Sequence, residues 1–277
     1  MEKIFDFWST IDKPKWLTDT DYLTVMGSRA YGCALEDSDW DFYGFTTPPV
    51  EILFPHLAGD IPDFGMQKKR FNQLQLHGVP SEKYGDVDLT VYNIVKYFDL
   101  VMGMNPNMVD SLFVPDDAIL HMNGVGKLVR ENRHSFLSQK LWQRCKGMAW
   151  SHMKRITSRG RLGKRKAIVE KFGYDTKDGS NVVRVIEEAQ DFLFKGDADI
   201  SANADKIRRV RNGEWALDKL KNYFEASLEN VEIKLEAGLA VIPEYPDQDA
   251  IKALLEWCLE EKYGQLANFG YNTRSLP

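Results

Sequence analysis

Cysteine is scarce in this chain. Cys33, Cys145 and Cys258 are the only three among 277 residues, widely spaced and without a Cys-x-x-Cys pair. That argues against a disulfide-built scaffold and points to a reducing compartment. The five histidines, His56, His77, His121, His134 and His152, are scattered and show no partner pattern. No Cys/His zinc site is therefore expected, and the histidines read as surface or packing residues. No apolar run reaches the roughly eighteen residues of a membrane span. The opening MEKIFDFWST is too short and too charged for a signal peptide. Together these absences predict a cytoplasmic protein with no membrane contact. A strong charge of one sign is also missing: the net charge is −5, which gives no global pull toward nucleic acid or anionic lipid. There is no internal repeat, no low-complexity tract and no Gly-x4-Gly-Lys-Ser/Thr phosphate loop.

Against these absences, one stretch is dense in chemistry. Met26-Gly27-Ser28-Arg29-Ala30-Tyr31-Gly32 is followed by Asp37-Ser38-Asp39-Trp40-Asp41-Phe42-Tyr43-Gly44. In an extended strand alternate side chains share a face. Asp39 and Asp41 then point one way, and Trp40 and Phe42 the other. Two like charges side by side repel unless a cation lies between them. A divalent ion with oxygen ligands meets that need, and phosphate chemistry is its commonest use.

The surrounding pattern supplies a frame. Asp21–Met26 reads as a strand that turns at Gly27 into a short helix over Ala30–Leu35. Trp40–Phe45 is a second strand. Pro, Gly and polar residues fill 55–85, although 66–76 could hold strand or irregular structure. Asp86–Tyr92 alternates as a third strand. Helical spacing covers Asn93–Met104, and Asn105-Pro106-Asn107 stops that helix and caps the next, Met108–Phe113. Beyond Ala118 the chain reads as helices over Gly124–Glu131, Leu141–Thr157, Arg165–Phe172, Ser180–Leu193, Ala204–Asn212, Trp215–Ala237 and Asp247–Lys262. Trp142 and Trp150 are expected on one inward face. The composition changes near residue 118, so the expected units are 1–118 and 119–277, with an uncertainty of about five residues.

Phosphoryl and nucleotidyl transfer require the triphosphate to be held and charge on the attacking and leaving oxygens to be neutralised. Two metal ions about 3.5–4 Å apart do the second job. They need a third carboxylate from another strand, for which Asp88 is the first choice and Asp86 the second. Gly27-Ser28 offers backbone N–H groups and a hydroxyl for phosphate. Arg29 is placed to meet a β- or γ-phosphate or to face solvent.

Gly27-Ser28 with Asp39-x-Asp41 and a later Asp resembles the signature of the DNA polymerase β-type nucleotidyltransferase superfamily. The fuller strings are similar to one branch, the RlaP-like nucleotidyltransferases found with RNA-repair ligases. These strings are Gly27–Gly32, Ser38–Gly44, Asp88–Tyr92, Lys96–Leu100, Asn105–Asn107 and Gly173–Lys177, with a looser likeness at Val210-Arg211-Asn212-Gly213-Glu214. The chain departs from that pattern at Arg29, where the branch usually has His, and at Trp40, where it has an aliphatic residue. Asp178 and Asn181 stand where it commonly has two His, with Arg184 retained.

The resemblance implies an α+β fold: a mixed sheet with flanking helices, then a mostly helical domain completing a cleft. It implies transfer of a nucleoside monophosphate from a nucleoside triphosphate to a hydroxyl, using two Mg²⁺ ions, with Mn²⁺ as an alternative. Asp39, Asp41 and Asp88 would be catalytic and metal-binding. Gly27, Ser28, Arg29, Tyr174, Lys177 and Arg184 would meet the nucleotide, Tyr174 by stacking on the base. RNA, as a tRNA or an RNA end, ranks first as acceptor. An inactive nucleotide- or RNA-binding module and a protein-modifying adenylyltransferase are the alternatives. The segment Lys154–Lys171 holds eight Lys or Arg and one acid. It either lines the cleft or forms a solvated face.

Overall fold

The computed structural model describes residues 5–36, 38–59, 61, 65, 70–156 and 164–264. Asp37 and the centre of the basic segment, 157–163, lie outside the described residues. Five strands form one mixed sheet: β1 (Tyr22–Met26), β2 (Trp40–Thr46), β3 (Gln73–Ser81), β4 (Gly85–Asn93) and β5 (Ile119–Met122), in the order β3-β4-β2-β1-β5. The helices are α1 (Gly27–Ala30), α2 (Val50–Leu53), α3 (Ile94–Met102), α4 (Pro106–Leu112), α5 (Gly124–Glu131), α6 (Lys140–Arg155), α7 (Lys164–Phe172), α8 (Thr176–Lys195), α9 (Ala204–Arg211), α10 (Leu217–Glu236) and α11 (Gln248–Tyr263). This is the expected α+β architecture. None of the described helices is long and apolar enough to cross a membrane.

The sheet positions the site through two pairings. β1 runs antiparallel to β2 and sets Met26 opposite Asp41. β2 runs parallel to β4 and sets Asp41 directly opposite Asp88. Side chains opposite one another in a sheet share a face, so Asp41 and Asp88 project together. The other face of β2 is buried as alternation requires: Phe42 is fully buried, with its ring 5.8 Å from Phe7 and 5.1 Å from Tyr84. Trp40 packs on that face, 4.8 Å from the Tyr84 ring.

Three elements and one side chain differ from the sequence reading. The helix after β1 begins at Gly27 itself and ends at Ala30. β3 occupies part of the stretch rich in Pro and Gly. It is an edge strand, where Pro80 loses no ladder bond that a neighbour needs. β5 is only four residues long, too short for a periodic signal, and it returns to the sheet beside β1. The sheet therefore extends to Met122. Trp150 is 46% exposed while Trp142 is fully buried. Eight helical positions turn through about 80° beyond two full circles, enough to carry Trp150 off the buried face. Buried side chains from both halves join one hydrophobic cluster, which runs from Phe5 to Leu259.

Candidate active site

The turn at Gly27 exists to admit Asp41. Gly27 has φ +66°, and a Cβ there would overlap the Asp41 carboxylate. Only glycine takes this backbone form at little cost while leaving that space. Burial raises the pKa of the Asp41 carboxyl first, followed by the charge of Asp88; Asp39 raises it further, while Lys177 and His77 lower it. The three expected acids thus act on one another electrostatically. Asp39 is exposed at the cleft, Asp41 half-buried, and Asp88 opposite it on β4.

Asp88 has further partners. The β3–β4 pairing is interrupted between Leu76 and Val79, and the bulge turns two groups onto the carboxylate. The Gly78 N–H donates to Asp88 Oδ1 at 3.0 Å, and His77 Nδ1 lies 3.0 Å from Oδ2. His77 is therefore more than a surface histidine, and its alternating Gln/His neighbourhood gave no hint of the bulge. The donor set is all hard oxygen, which suits Mg²⁺ or Mn²⁺ better than zinc. The mutual repulsion at Asp41 is what a cation would relieve. Among the described residues no three His, Cys, Asp or Glu side chains stand close enough to form a finished metal cage.

Facing Asp39 and Asp41 is a cleft of about 590 Å³. Gly27 and Ser28 line one wall, and α7, α8 and α9 the other, through Lys171, Lys177, Asn181, Arg184 and Arg211. Lys177 and Arg211 make no ion pair with a described side chain. One wall is thus anionic and the other carries unneutralised cations. Arg211 was legible only as part of the loose Val210–Glu214 likeness. Of the described residues of the basic segment, Arg165 and Lys171 are the bases that reach the cleft. Arg165 is held by Asp175, at 2.5 Å, and Lys166 pairs with Glu170 on its own helix at 3.7 Å.

Three expected contacts require correction. Arg29 does not point at a phosphate or into solvent. Its guanidinium stacks 3.9 Å from the centre of the Trp40 ring and donates to the Ser38 carbonyl at 2.7 Å. Tyr174 cannot stack on a base: it is fully buried, and its hydroxyl donates to the Trp215 carbonyl at 2.8 Å. Asp175 beside it is the N-cap of α8, accepting from the Lys177 N–H at 3.0 Å. Of the Gly173–Lys177 string, Thr176 and Lys177 line the cleft.

Arg184 borders the cleft but is 3% exposed and already occupied. It donates to Asp110 at 2.8 Å and to Glu188 at 2.9 Å, and lies 4.3 Å over the Tyr31 ring. Tyr31 in turn donates to Asp110 at 2.9 Å, and Asn107 Oδ1 lies 3.5 Å from Arg184. Asn105 stands at the N-cap of α4 without a side-chain capping bond, so Asn107 carries the string's contact. Burial pushes the pKa of both acids up, Glu188 well above its usual range. Its Oε1 is buried without a hydrogen bond, an arrangement that costs less for a neutral acid than for a carboxylate.

A model of the RNA repair pathway DNA polymerase beta family matches residues 17–186, more than half of the chain. The match takes in Gly27, Ser28, the three acids, Lys177 and Arg184, and ends before Arg211. No curated protein matches the chain.

Proposed function

The chain belongs to the RNA repair pathway DNA polymerase beta family, and we propose that it is a metal-dependent nucleotidyltransferase that moves a nucleoside monophosphate onto a hydroxyl, an RNA end first among acceptors. The observation that carries this reading is the pairing of Asp41 with Asp88 across β2 and β4, with Gly27 left bare beside them. Asp39, Asp41 and Asp88 would hold two Mg²⁺ ions, or Mn²⁺, which when bound supply Lewis-acid neutralisation of the transferring phosphate.

The remaining work falls to the chain. Lys177 and Arg211 are free to take the negative charge of a triphosphate, and the Ser28 hydroxyl borders the same cleft. Lys177 already lowers the Asp41 pKa, so it lies within electrostatic reach of the reacting centre. Asp88 is steadied from behind by Gly78 and His77. A carboxylate so held is oriented before the acceptor arrives, which is the requirement for accepting or directing a hydroxyl proton. Arg29 acts at one remove. By stacking on Trp40 and bonding to Ser38 it steadies the backbone on both sides of Asp39.

The test is to offer each of the four labelled ribonucleoside triphosphates, with Mg²⁺, to the protein in a mixed RNA and protein extract. Label on RNA that disappears with Asp39→Asn and Asp41→Asn supports the proposal. Label on protein instead favours the protein-modifying reading. Nucleotide binding with no label on either, unchanged by Asp41→Asn, identifies a binding module and overturns the enzyme.

A further inference from the structure

The end of the helical half carries an apolar surface of its own. Ile233, Leu239, Val241 and Tyr245 fall within one short stretch, and each is more than half exposed. The turn that closes α10 joins the first two. The Gly238 N–H donates to the Leu235 carbonyl at 2.9 Å and the Leu239 N–H to the Lys234 carbonyl at 3.0 Å. These bonds fold the chain back and set the residue after the glycine against the last turn of the helix. The segment beyond is pinned from beneath. The Val241 N–H donates to the Leu193 carbonyl and the Gln139 N–H to the Pro243 carbonyl, both at 2.9 Å, and Gln139 Nε2 donates to the Ile242 carbonyl at 3.0 Å. Ile242 points inward and is buried, while Val241 beside it stays outside. Single exposed apolar side chains are ordinary, but several gathered on a pinned segment mark a contact surface.

This surface lies away from the transfer site. α8 presents Lys177 to the cleft near its start and Leu193 to this segment near its end, a separation of about 24 Å at the helical rise. None of the four apolar residues lines the cleft.

Charge narrows the occupant. From Glu225 to Asp249 there are seven acids and one base, Lys234. Glu229, Glu236 and Glu244 are exposed and make no ion pair with a described side chain. Such a rim repels a nucleic acid or an anionic membrane. A second copy meeting the same face across a two-fold axis would set these acids against themselves. A basic polypeptide is attracted instead. The face already takes ammonium groups from its own chain: Lys140 lies 5.4 Å over the Tyr245 ring and Lys234 lies 5.1 Å over the Phe194 ring.

We infer that this apolar face and its acidic rim form a docking surface for a basic amphipathic segment of a partner protein. Apolar side chains of that segment seat on Ile233, Leu239 and Val241, and its Lys or Arg side chains meet the rim.

The probe is a labelled synthetic peptide of Leu and Lys patterned as an amphipathic helix, compared with a scrambled peptide of the same composition and a patterned peptide with Glu in place of Lys. The full chain should bind the patterned peptide about tenfold more tightly than the scrambled one and leave the Glu peptide unbound. Leu239→Ser combined with Val241→Ser removes exposed side chains only, and a melting curve establishes that the variant folds. It should bring the patterned peptide down to the affinity of the scrambled one. Glu229→Gln combined with Glu236→Gln should weaken binding and flatten its salt dependence. Wild-type protein that fails to bind the patterned peptide, or binds both Lys peptides equally, overturns the proposal, as does binding that survives the double Ser variant. Sedimentation velocity and a labelled single-stranded RNA supply the rival occupants. A dimer that the double Ser variant dissolves assigns the face to a second copy, and RNA affinity that the same variant lowers assigns it to nucleic acid; either result overturns the peptide surface.

Discussion

Gly27 and Asp41 are a single functional unit, since one exists in its present form only because of the other. Gly27→Ala would put an L side chain at φ +66°, costing about 1–2 kcal/mol, and would push the Asp41 carboxylate aside. Thermal melting should register the first effect and loss of nucleotide transfer the second. Asp41 itself sits at a cost to the fold. Its pKa is raised above the ordinary 3.8, mainly by burial and then by Asp88, so the ionised form destabilises the native state above that range. Asp41→Asn should therefore melt at a higher temperature than wild type at neutral pH while losing transfer. The gain should shrink as pH falls through the raised value and vanish near 3.8. A series of melts from neutral to acid pH checks this, and an unchanged or lower melting temperature at neutral pH contradicts it. Alternation along one strand made Asp39, Asp41 and Phe42 readable before any coordinates. The contact between Arg29 and Trp40 was not readable in this way. Both depart from the family pattern, and they turn out to touch each other, a pairing between residues eleven positions apart that no strand or helix period encodes.

At the level of elements, the recognisable strings prove to be joints. Within Gly27–Gly32, Gly27 accommodates Asp41, Tyr31 binds Asp110, and the Gly32 carbonyl accepts from Arg208 of α9 at 2.6 Å. Asn107 on α4 and Arg184 on α8 meet at the same buried centre. Helix positions were legible because apolar spacing and caps are local; α5 follows its sequence pattern from Gly124 to Glu131. β3 and β5 were not, because an edge strand and a four-residue strand take their order from neighbours distant in sequence. The buried centre makes an asymmetric prediction. Arg184→Met leaves Asp110 and Glu188 without their cation and should cost about 3–5 kcal/mol in denaturant unfolding. Glu188→Gln should cost far less, because burial pushes the Glu188 pKa up and so disfavours the charge that Gln lacks. Equal losses from the two substitutions would show that Glu188 is ionised in the native state.

The whole molecule sets an acidic sheet face against a basic helical wall, although its overall charge is −5. Global charge therefore says little about the ligand, and local sign says a good deal. Mg²⁺ or Mn²⁺ should raise the melting temperature of the wild type, a chelator should reverse the rise, and Asp41→Asn should abolish it. Arg211→Met should weaken triphosphate binding and its salt dependence while leaving the cation-induced shift intact, as calorimetry at two ionic strengths would read. The parallel pairing of β2 with β4 has one more consequence. The chain between Thr46 and Gln73 can lengthen or shorten without disturbing the meeting of Asp41 and Asp88, since neither residue's alignment is measured through it. A deletion of one residue between Ser81 and Val87 acts on the tight turn between β3 and β4 or on the first residues of β4. It threatens to turn residue 88 through half a pleat to the other side of the sheet. Natural variation in length should accumulate in the first interval and be purged from the second.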